Sequence, residues 1–262
     1  MMKKIIILIC GAIMAQCSLV SAQTVKMKIW KGGDATKIFR TADVDSVTFI
    51  INEDYCAEED LHIIDGHKFV DLGLPSGLLW ATANIGAAMA ADAGDYYAWG
   101  ATEAQSSYDW NAYTHGTSAS NFTKYNSTDG LVTLEKGDDA ATVLWGSSCR
   151  MPTIMEMGEL LDPRNCIWAW VQRTTSTGEK MEGYRVTSKS NGNSIFIPAA
   201  GCRYNGNLYY RSMFGIYWSS TLYSDDSDGT NYAYYLNFNS TVHYQDYFAR
   251  CFGRTIRPVA MP

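Results

Sequence analysis

The chain has 262 residues, of which 47% are hydrophobic and 18% are charged, and its formal net charge is −6. That length and apolar content are typical of one large folded domain with a small appendage. The acidic balance and the absence of a Lys/Arg cluster disfavour nucleic acid as a partner, because such binding needs basic groups to neutralise phosphates.

The N-terminal residues carry the pattern of an export signal. Lys3 and Lys4 precede an almost wholly apolar run at 5–19, and small residues follow at 20–22. This order predicts a secretory signal peptide over residues 1–22 rather than a membrane anchor, which needs ~20 apolar residues. No later stretch of the sequence is long and apolar enough to cross a membrane. We therefore expect a secreted, periplasmic or outer-surface protein that does not span the membrane.

Residues 23–51 show the pattern of a small β arm or spacer. Apolar residues alternate with lysines at 25–29, which is the period-2 pattern of a half-buried strand, and a second strand is predicted at 44–50. An acidic, polar stretch at 52–60 predicts a linker, which leaves 61–262 as the main domain.

Two hairpin turns indicate strands in the main domain. An Asp-Gly pair at 65–66 lies between apolar runs, and an Asn-Gly pair at 191–192 lies between strands predicted at 184–188 and 194–197. Both pairs tolerate the positive φ that tight hairpins require. The alternating run at 232–238 predicts another strand, with one face buried.

Helices are few in this sequence, and loops are long. Thr153, followed three residues later by Glu156, forms a capping box that predicts a short helix, and a second short helix is predicted at 138–144. The segments 87–95 and 105–130 lack periodicity and are predicted to be long loops. Because loops on a rigid scaffold often carry function, we expect binding residues in such segments.

Five cysteines follow the predicted signal peptide: Cys56, Cys149, Cys166, Cys202 and Cys251. Export permits disulfides, but an odd number leaves at least one thiol unpaired, and the spacing does not define the connectivity. The histidines do not cluster with cysteines at zinc-ligand spacing, which disfavours a structural metal–thiolate site.

The motifs of the main domain resemble the Fibrobacter succinogenes major paralogous domain. The matching segments follow one another through nearly all of residues 61–262 and read, in order, VDLGLPSGLLWA at 70–81, GDYYAWG at 94–100, DDAA at 138–141, RMPT at 150–153, NCIWAW at 165–170, GNSIFIPAAG at 192–201, YWSST at 217–221 and RPV at 257–259. The resemblance implies a C-type-lectin-like α+β fold, similar to the formylglycine-generating-enzyme group, with a twisted antiparallel sheet, two short helices and long loops. It implies no particular activity.

The sequence departs from this family pattern at two cysteines. Cys149 stands where the family usually has Trp, and Cys202 stands where it usually has Tyr. Two such changes in one domain indicate either a disulfide between Cys149 and Cys202 or two separate buried thiols.

An acidic loop provides the only candidate for a cofactor, Ca²⁺. Asp225, Asp226 and Asp228 precede a glycine, and in lectin-like folds calcium and sugar commonly meet in this region. Ca²⁺ takes six to eight oxygen ligands, and a short Asp-rich loop supplies several. The spacing does not match an EF-hand, so an ordinary solvated loop is the alternative interpretation.

Aromatic residues provide the candidate ligand contacts. Tyr209, Tyr210, Tyr217 and Tyr223 lie among Gly and Asn residues, which predicts that they lie on the surface near loop tips. Trp168 and Trp170 are two residues apart and share one face of a strand, where they either stack on a sugar or pack in the core.

Catalytic motifs are missing from the sequence. Cys251 lies where the formylglycine-generating group has one of its two cysteines, but Asp246 stands where the second thiol would be needed. Serine-hydrolase, zinc-protease and phosphate-loop motifs are absent as well. We therefore expect a non-catalytic exported binding or adhesion module for an extracellular carbohydrate or protein. The alternatives are a degenerate or unrecognised enzyme of the same fold and a structural surface subunit.

Overall fold

The computed structural model describes residues 61–224 and 231–262, together with the backbone of two strands at 26–31 and 34–40. The predicted signal peptide, the strand expected at 44–50, the acidic linker with Cys56, and the acidic loop with Asp225, Asp226 and Asp228 lie outside the described residues.

The chain divides into two compact units, residues 1–51 and 52–262. In the smaller unit, β1 (Lys26–Lys31) pairs antiparallel with β2 (Asp34–Arg40). The strand predicted from the alternation of apolar residues and lysines is therefore present, and it forms one half of a hairpin.

The larger unit is mostly β, with two short helices among the residues described. The helices are α1 (Ala140–Trp145) and α2 (Ile154–Leu161). The strands are β3 (Leu61–Ile64), β4 (His67–Asp71), β5 (Leu79–Ala81), β6 (Gly116–Ser118), β7 (Asn121–Phe122), β8 (Cys149–Arg150), β9 (Cys166–Thr174), β10 (Lys180–Ser188), β11 (Ser194–Pro198), β12 (Cys202–Tyr204), β13 (Asn207–Tyr209), β14 (Gly215–Leu222), β15 (Tyr232–Phe238), β16 (His243–Ala249) and β17 (Val259–Ala260).

The strands of this unit form antiparallel sheets. One sheet has the order β3-β4-β5-β17-β8, so the last strand of the chain lies between two early ones. Two further sheets have three strands each, β11-β10-β9 and β14-β15-β16. At this level the α+β prediction, with an antiparallel sheet and two short helices, is confirmed.

Both predicted hairpin turns are present. Asp65 and Gly66 join β3 to β4 with φ of 49° and 82°, the left-handed values that a two-residue hairpin turn requires. The Asn-Gly turn at 191–192 lies between β10 and β11, which pair antiparallel. Local turn chemistry therefore sets the register of both hairpins.

The helices begin where the capping residues predict. The side chain of Asp139 accepts a hydrogen bond from Thr142 N at the start of α1. Thr153 and Glu156 form a complete capping box at the start of α2, because each side chain accepts a hydrogen bond from the other residue's backbone N–H. The buried face of α2 carries Met157 and Leu160 into the largest core cluster, which also contains residues from β4, β10, β11 and β15.

Two tryptophans join distant segments of a second core cluster. Trp99 Nε1 donates to Ser219 O at 2.9 Å, and Trp218 Nε1 donates to Tyr97 O at 3.0 Å. Arg254 is buried beside them, with its guanidinium carbon 4.2 Å from the Trp218 ring centre. These contacts hold the irregular segment around Trp99 against β14.

Two expectations about buried faces and loops are refined. The strand predicted at 232–238 is present as β15, but it is buried on both faces and not on one. Ala233 and Tyr235 are buried on one face, and Leu236 and Phe238 are buried on the other. The segment 87–95 has no helix or strand, as predicted. The segment 105–130 is irregular except for the small pair β6 and β7.

Within the part of the chain that the structure describes, neither helix has the length and apolar character needed to cross a membrane.

Candidate binding site

The four tyrosines expected on the surface lie in different environments. Tyr209 and Tyr210 are exposed, with 40% and 54% of their surface accessible. Tyr223 is half-buried and stacks on Tyr247 with ring centres 3.7 Å apart. Tyr217 was expected on the surface, but it lies in the core and only 1% of its surface is accessible.

Tyr217 is buried because it lies in the middle of β14, which is covered on both faces. Its hydroxyl donates to Pro198 O at 2.6 Å and accepts from Asn84 Nδ2 at 3.2 Å. Its ring stacks on Phe238 with centres 5.9 Å apart. It therefore has a structural role and cannot contact a ligand at the surface.

The disulfide considered between Cys149 and Cys202 is not formed. Both are buried free thiols and belong to different core clusters. Burial raises the pKa of Cys149 to about 11, and burial likewise raises the pKa of Cys202. Of the two alternatives, the structure shows buried thiols that fill space as small apolar side chains.

Trp168 and Trp170 share one face of β9, as predicted, but their surroundings differ. Trp168 donates from Nε1 to Leu160 O at 2.7 Å and stacks on His243 with ring centres 4.6 Å apart. Trp170 packs edge-on against Tyr184 at 5.0 Å and remains partly exposed at the surface. Both side chains are partly buried against the largest core cluster, and Trp170 also lines a groove at the surface.

Trp170 lines an open groove of about 380 Å³, called here the Trp170 groove. It is formed by residues from four segments of the chain, and its lining includes Trp170, Glu182, Ser212, Phe214, Asn239 and Thr241. An aromatic surface with a few hydrogen-bonding groups around it is the usual composition of a small-ligand site.

The β9–β10 pairing places the carboxylate beside the aromatic ring. Tyr184 lies opposite Trp170 in the ladder, and Glu182 lies two residues along β10 on the same face, so Glu182 is a diagonal neighbour of Trp170. Gln172, opposite Glu182, donates from Nε2 to Glu182 Oε1 at 2.7 Å. This bond holds the carboxylate at the edge of the groove.

The opposite wall of the groove is the turn between β15 and β16. Asn239 Oδ1 accepts hydrogen bonds from the backbone N and the hydroxyl of Thr241, at 2.9 and 2.8 Å, and from Val242 N at 3.2 Å. Because its carbonyl oxygen is used within the turn, the amide N–H groups are what Asn239 offers to a ligand. The groove thus combines a carboxylate acceptor, an amide donor and hydroxyl groups.

The segment Tyr210–Phe214 forms the third side of the groove and has an unusual backbone. Tyr210 and Ser212 both have positive φ, 62° and 59°. Hydrogen bonds keep this conformation: Ser212 N donates to Ala199 O at 2.7 Å, and Phe214 N donates to Tyr210 O at 2.9 Å. The exposed ring of Tyr210 lies 5.4 Å from that of Phe214. The aromatic surface of the groove therefore extends outward to Tyr210 and, 6.1 Å further, Tyr209.

A second groove, of about 270 Å³, lies beside the same segment and is called the Arg211 groove. Its polar lining consists of Asp92, Asp95, Thr175, Ser176, Thr177 and Arg211. Asp92 Oδ1 accepts from Ser176 N at 2.8 Å and Oδ2 accepts from Met89 N at 3.0 Å, which ties the loop at 87–95 to the β9–β10 turn. Burial raises the pKa of Asp92, but these hydrogen bonds to the carboxylate outweigh burial, so the pKa of Asp92 lies below its usual value.

A group of four titratable side chains around Asp138 lies elsewhere and is linked by hydrogen bonds. Asp138 accepts from Lys124 Nζ at 2.5 Å and from the Tyr125 hydroxyl at 2.6 Å, and His115 Nε2 lies 3.6 Å from its other oxygen. Burial raises the pKa of Asp138, but the bonds from Lys124 and Tyr125 outweigh it and leave the pKa lowered. This group stabilises the segment between β6 and α1, and it also bonds the backbone, since His115 Nε2 lies 3.0 Å from Gly100 O and the Tyr125 hydroxyl accepts from Glu135 N at 2.8 Å.

Among the described residues, no group of three or more His, Cys, Asp or Glu side chains is arranged to hold a metal ion. The calcium hypothesis concerns Asp225, Asp226 and Asp228, which lie outside those residues, and so it stays a prediction.

Of the residues singled out from the sequence, Trp170 lines a groove, whereas Tyr209 and Tyr210 are exposed beside the Trp170 groove without lining it. Glu182, Asn239 and the segment from Arg211 to Phe214 were missed by sequence-based prediction. The missed residues are ordinary strand and turn residues in sequence, and no short motif connects them. Comparison of the chain with protein-family models, with curated proteins and with solved structures gives no match.

Proposed function

We propose that this chain is an exported, non-catalytic binding or adhesion module and that its ligand is a carbohydrate held in the Trp170 groove. The observation that carries the proposal is a partly exposed indole bordered by Glu182, Asn239 and the hydroxyls of Ser212 and Thr241. Apolar faces of sugar rings pack on aromatic side chains, while their hydroxyls need donors and acceptors at the rim. A protein ligand is the alternative partner.

The sequence features support the same proposal. A signal peptide at 1–22 would deliver the main domain to the secreted, periplasmic or outer-surface space where glycans are found. We also propose that the main domain belongs to the Fibrobacter succinogenes major paralogous domain and has its C-type-lectin-like fold. The mostly β architecture with two short helices is compatible with that assignment.

A glycan array probed with the mature chain tests the function. We expect binding to a set of saccharides, and the Glu182→Gln and Trp170→Phe variants should reduce it at least tenfold while leaving the fold intact. The matched control is Ile167→Ala, because Ile167 is an exposed residue of the same strand on the opposite face. Binding of no saccharide, or unchanged binding by both variants, would show that the proposal is wrong.

Running the array in calcium and in a chelator separates the two candidate sites. Binding at the Trp170 groove uses side-chain hydrogen bonds and stacking, so we expect it to persist in the chelator. Loss of binding in the chelator would instead indicate the acidic loop at Asp225, Asp226 and Asp228 as the ligand site.

A further inference from the structure

The Trp170 groove and the Arg211 groove share one short segment of chain. Arg211 lines one groove, and Ser212 and Phe214, which follow it directly, line the other. The residues on both sides of Arg211 have left-handed backbone conformations, with φ of 62° at Tyr210 and 59° at Ser212. Such conformations in residues other than glycine cost of order 1–3 kcal/mol each and persist where the surrounding structure holds them. Here they direct successive side chains into two different grooves.

The β9–β10 hairpin connects the same two grooves. Glu182 lies in the Trp170 groove, and Glu179, three residues before it, receives the Arg211 guanidinium at 2.7 Å. Three residues of extended chain cover about 10 Å, so the two grooves are neighbours along one hairpin. Thr175 to Thr177, at the end of that hairpin, complete the Arg211 groove.

The two grooves are alike in chemistry. Both contain hydroxyl groups and carboxylates: Glu182 in the first, and Asp92 and Asp95 in the second. Arg211, the only Lys or Arg among the described residues that line either groove, is paired with Glu179. A ligand rich in hydroxyl groups and without negative charge suits this lining, because an anionic ligand would meet uncompensated carboxylates.

We infer that the Arg211 groove is a second saccharide subsite and that the ligand is a neutral oligosaccharide long enough to occupy both grooves. This inference rests on the proposed function and adds the length and charge of the ligand to it. The first ring stacks on Trp170, the chain passes over the segment Tyr210–Phe214, and a later ring hydrogen-bonds in the Arg211 groove. Tyr210, which directly precedes Arg211 and whose exposed ring lies 5.4 Å from that of Phe214, forms the edge of this path.

Calorimetric titration with saccharides of defined length tests the inference. The probes are neutral gluco-, xylo- and N-acetylglucosamine oligomers of one to six units, together with uronic-acid oligomers of the same lengths. We expect affinity for the preferred neutral series to rise roughly tenfold or more once both grooves are filled, since the second contact is made within an already bound chain. The acidic oligomers should bind more weakly than neutral oligomers of equal length.

Variants in the second groove give the specific test. Arg211→Ala and Thr177→Ala should lose the gain with length and still bind the shortest saccharides as the wild type does. Lys180→Ala is the control, because Lys180 is an exposed residue of the same hairpin that lines neither groove. Its length dependence should match that of the wild type.

The outcomes separate this inference from the function on which it rests. A chain that binds no saccharide overturns both. A chain that binds saccharides through Trp170 with equal affinity at every length overturns the second subsite alone, as does an undiminished length dependence in Arg211→Ala and Thr177→Ala.

Discussion

Tyr210 and Ser212 hold left-handed backbone conformations on either side of one arginine, with φ of 62° and 59°. Neither is a glycine, so each conformation carries a steric cost that the rest of the fold has to offset. The hydrogen bond from Ser212 N to Ala199 O, at 2.7 Å, is one of the contacts that does so. Strain of this kind, next to two grooves, is a feature found at binding sites.

Replacing Ser212 by glycine should make the protein more stable. Ser212→Gly removes the Cβ that opposes positive φ, and we expect the free energy of unfolding to rise by about 0.5–1 kcal/mol. Ser240→Gly is the matched control, because Ser240 also borders the Trp170 groove but is not among the residues with positive φ. It should lower stability by about 0.4–1 kcal/mol, because glycine makes the unfolded chain more flexible. Urea unfolding of both variants measures the difference, and a loss of stability in Ser212→Gly would contradict the strain argument.

The capping box at the start of α2 gives a second test. Thr153→Ala should lower the free energy of unfolding by about 1 kcal/mol, because Glu156 N, now 3.3 Å from the Thr153 hydroxyl, loses its acceptor. Thr153→Ser keeps a hydroxyl oxygen in that place, so its free energy of unfolding should fall by no more than about 0.5 kcal/mol. A melting curve of Thr153→Ala that coincides with the wild type would exclude a stabilising role for the cap.

These two sites differ in how far the sequence could predict them. The cap depends on Thr153 and Glu156, three positions apart, and the turn depends on the adjacent Asp65 and Gly66, so local chemistry predicts both. The Trp170 groove depends on β9, β10, the segment Tyr210–Phe214 and the β15–β16 turn meeting in space. No local pattern in the sequence specifies that these four segments meet, and so Glu182 and Asn239 could not be identified in advance.

Tyr217 shows the same limit of sequence-based prediction, because a residue predicted to be exposed is buried in the structure. Its neighbours in sequence predicted a surface loop, because Gly and Asn residues precede it. Whether a strand is covered on one face or two depends on what packs over it. β14 is covered on both faces, because Tyr217 lies in the largest core cluster while its neighbours Ile216 and Trp218 lie in a second one.

The corrected position of Tyr217 is itself testable. Tyr217→Phe removes the hydroxyl that donates to Pro198 O at 2.6 Å. Pro198 O keeps its hydrogen bond from Ala200 N, so the expected loss of stability is that of one buried hydrogen bond, about 1 kcal/mol. Tyr210→Phe is the control, since that hydroxyl belongs to an exposed side chain, and the change in stability should stay within about 0.5 kcal/mol. Equal stability of the two variants in chemical denaturation would be inconsistent with a buried hydrogen bond at Tyr217.

The last prediction concerns pH and follows from His243. This side chain stacks on Trp168, and its Nδ1 is buried without a hydrogen-bond partner among the described residues. Burial lowers the pKa of His243 below its usual 6.5, and no charged neighbour contributes to the shift. The unfolded chain therefore takes up a proton near pH 6.5, while the folded chain resists protonation until a lower pH. Neutral His243 contributes stability that is present above pH 6.5 and is lost as the pH falls through the folded pKa.

We expect the free energy of unfolding of the wild type to fall between pH 7 and pH 5, and to fall less in His243→Gln. Burial also lowers the pKa of His67 and His115, which adds to the same slope, whereas burial raises the pKa of Asp139, which opposes it. All three groups are present in both proteins, so the difference between the two slopes isolates His243. Urea titrations at pH 7, 6 and 5 measure it. Parallel slopes for wild type and variant would mean that His243 is protonated as readily in the folded chain as in the unfolded one, and the burial argument for this residue would then be wrong.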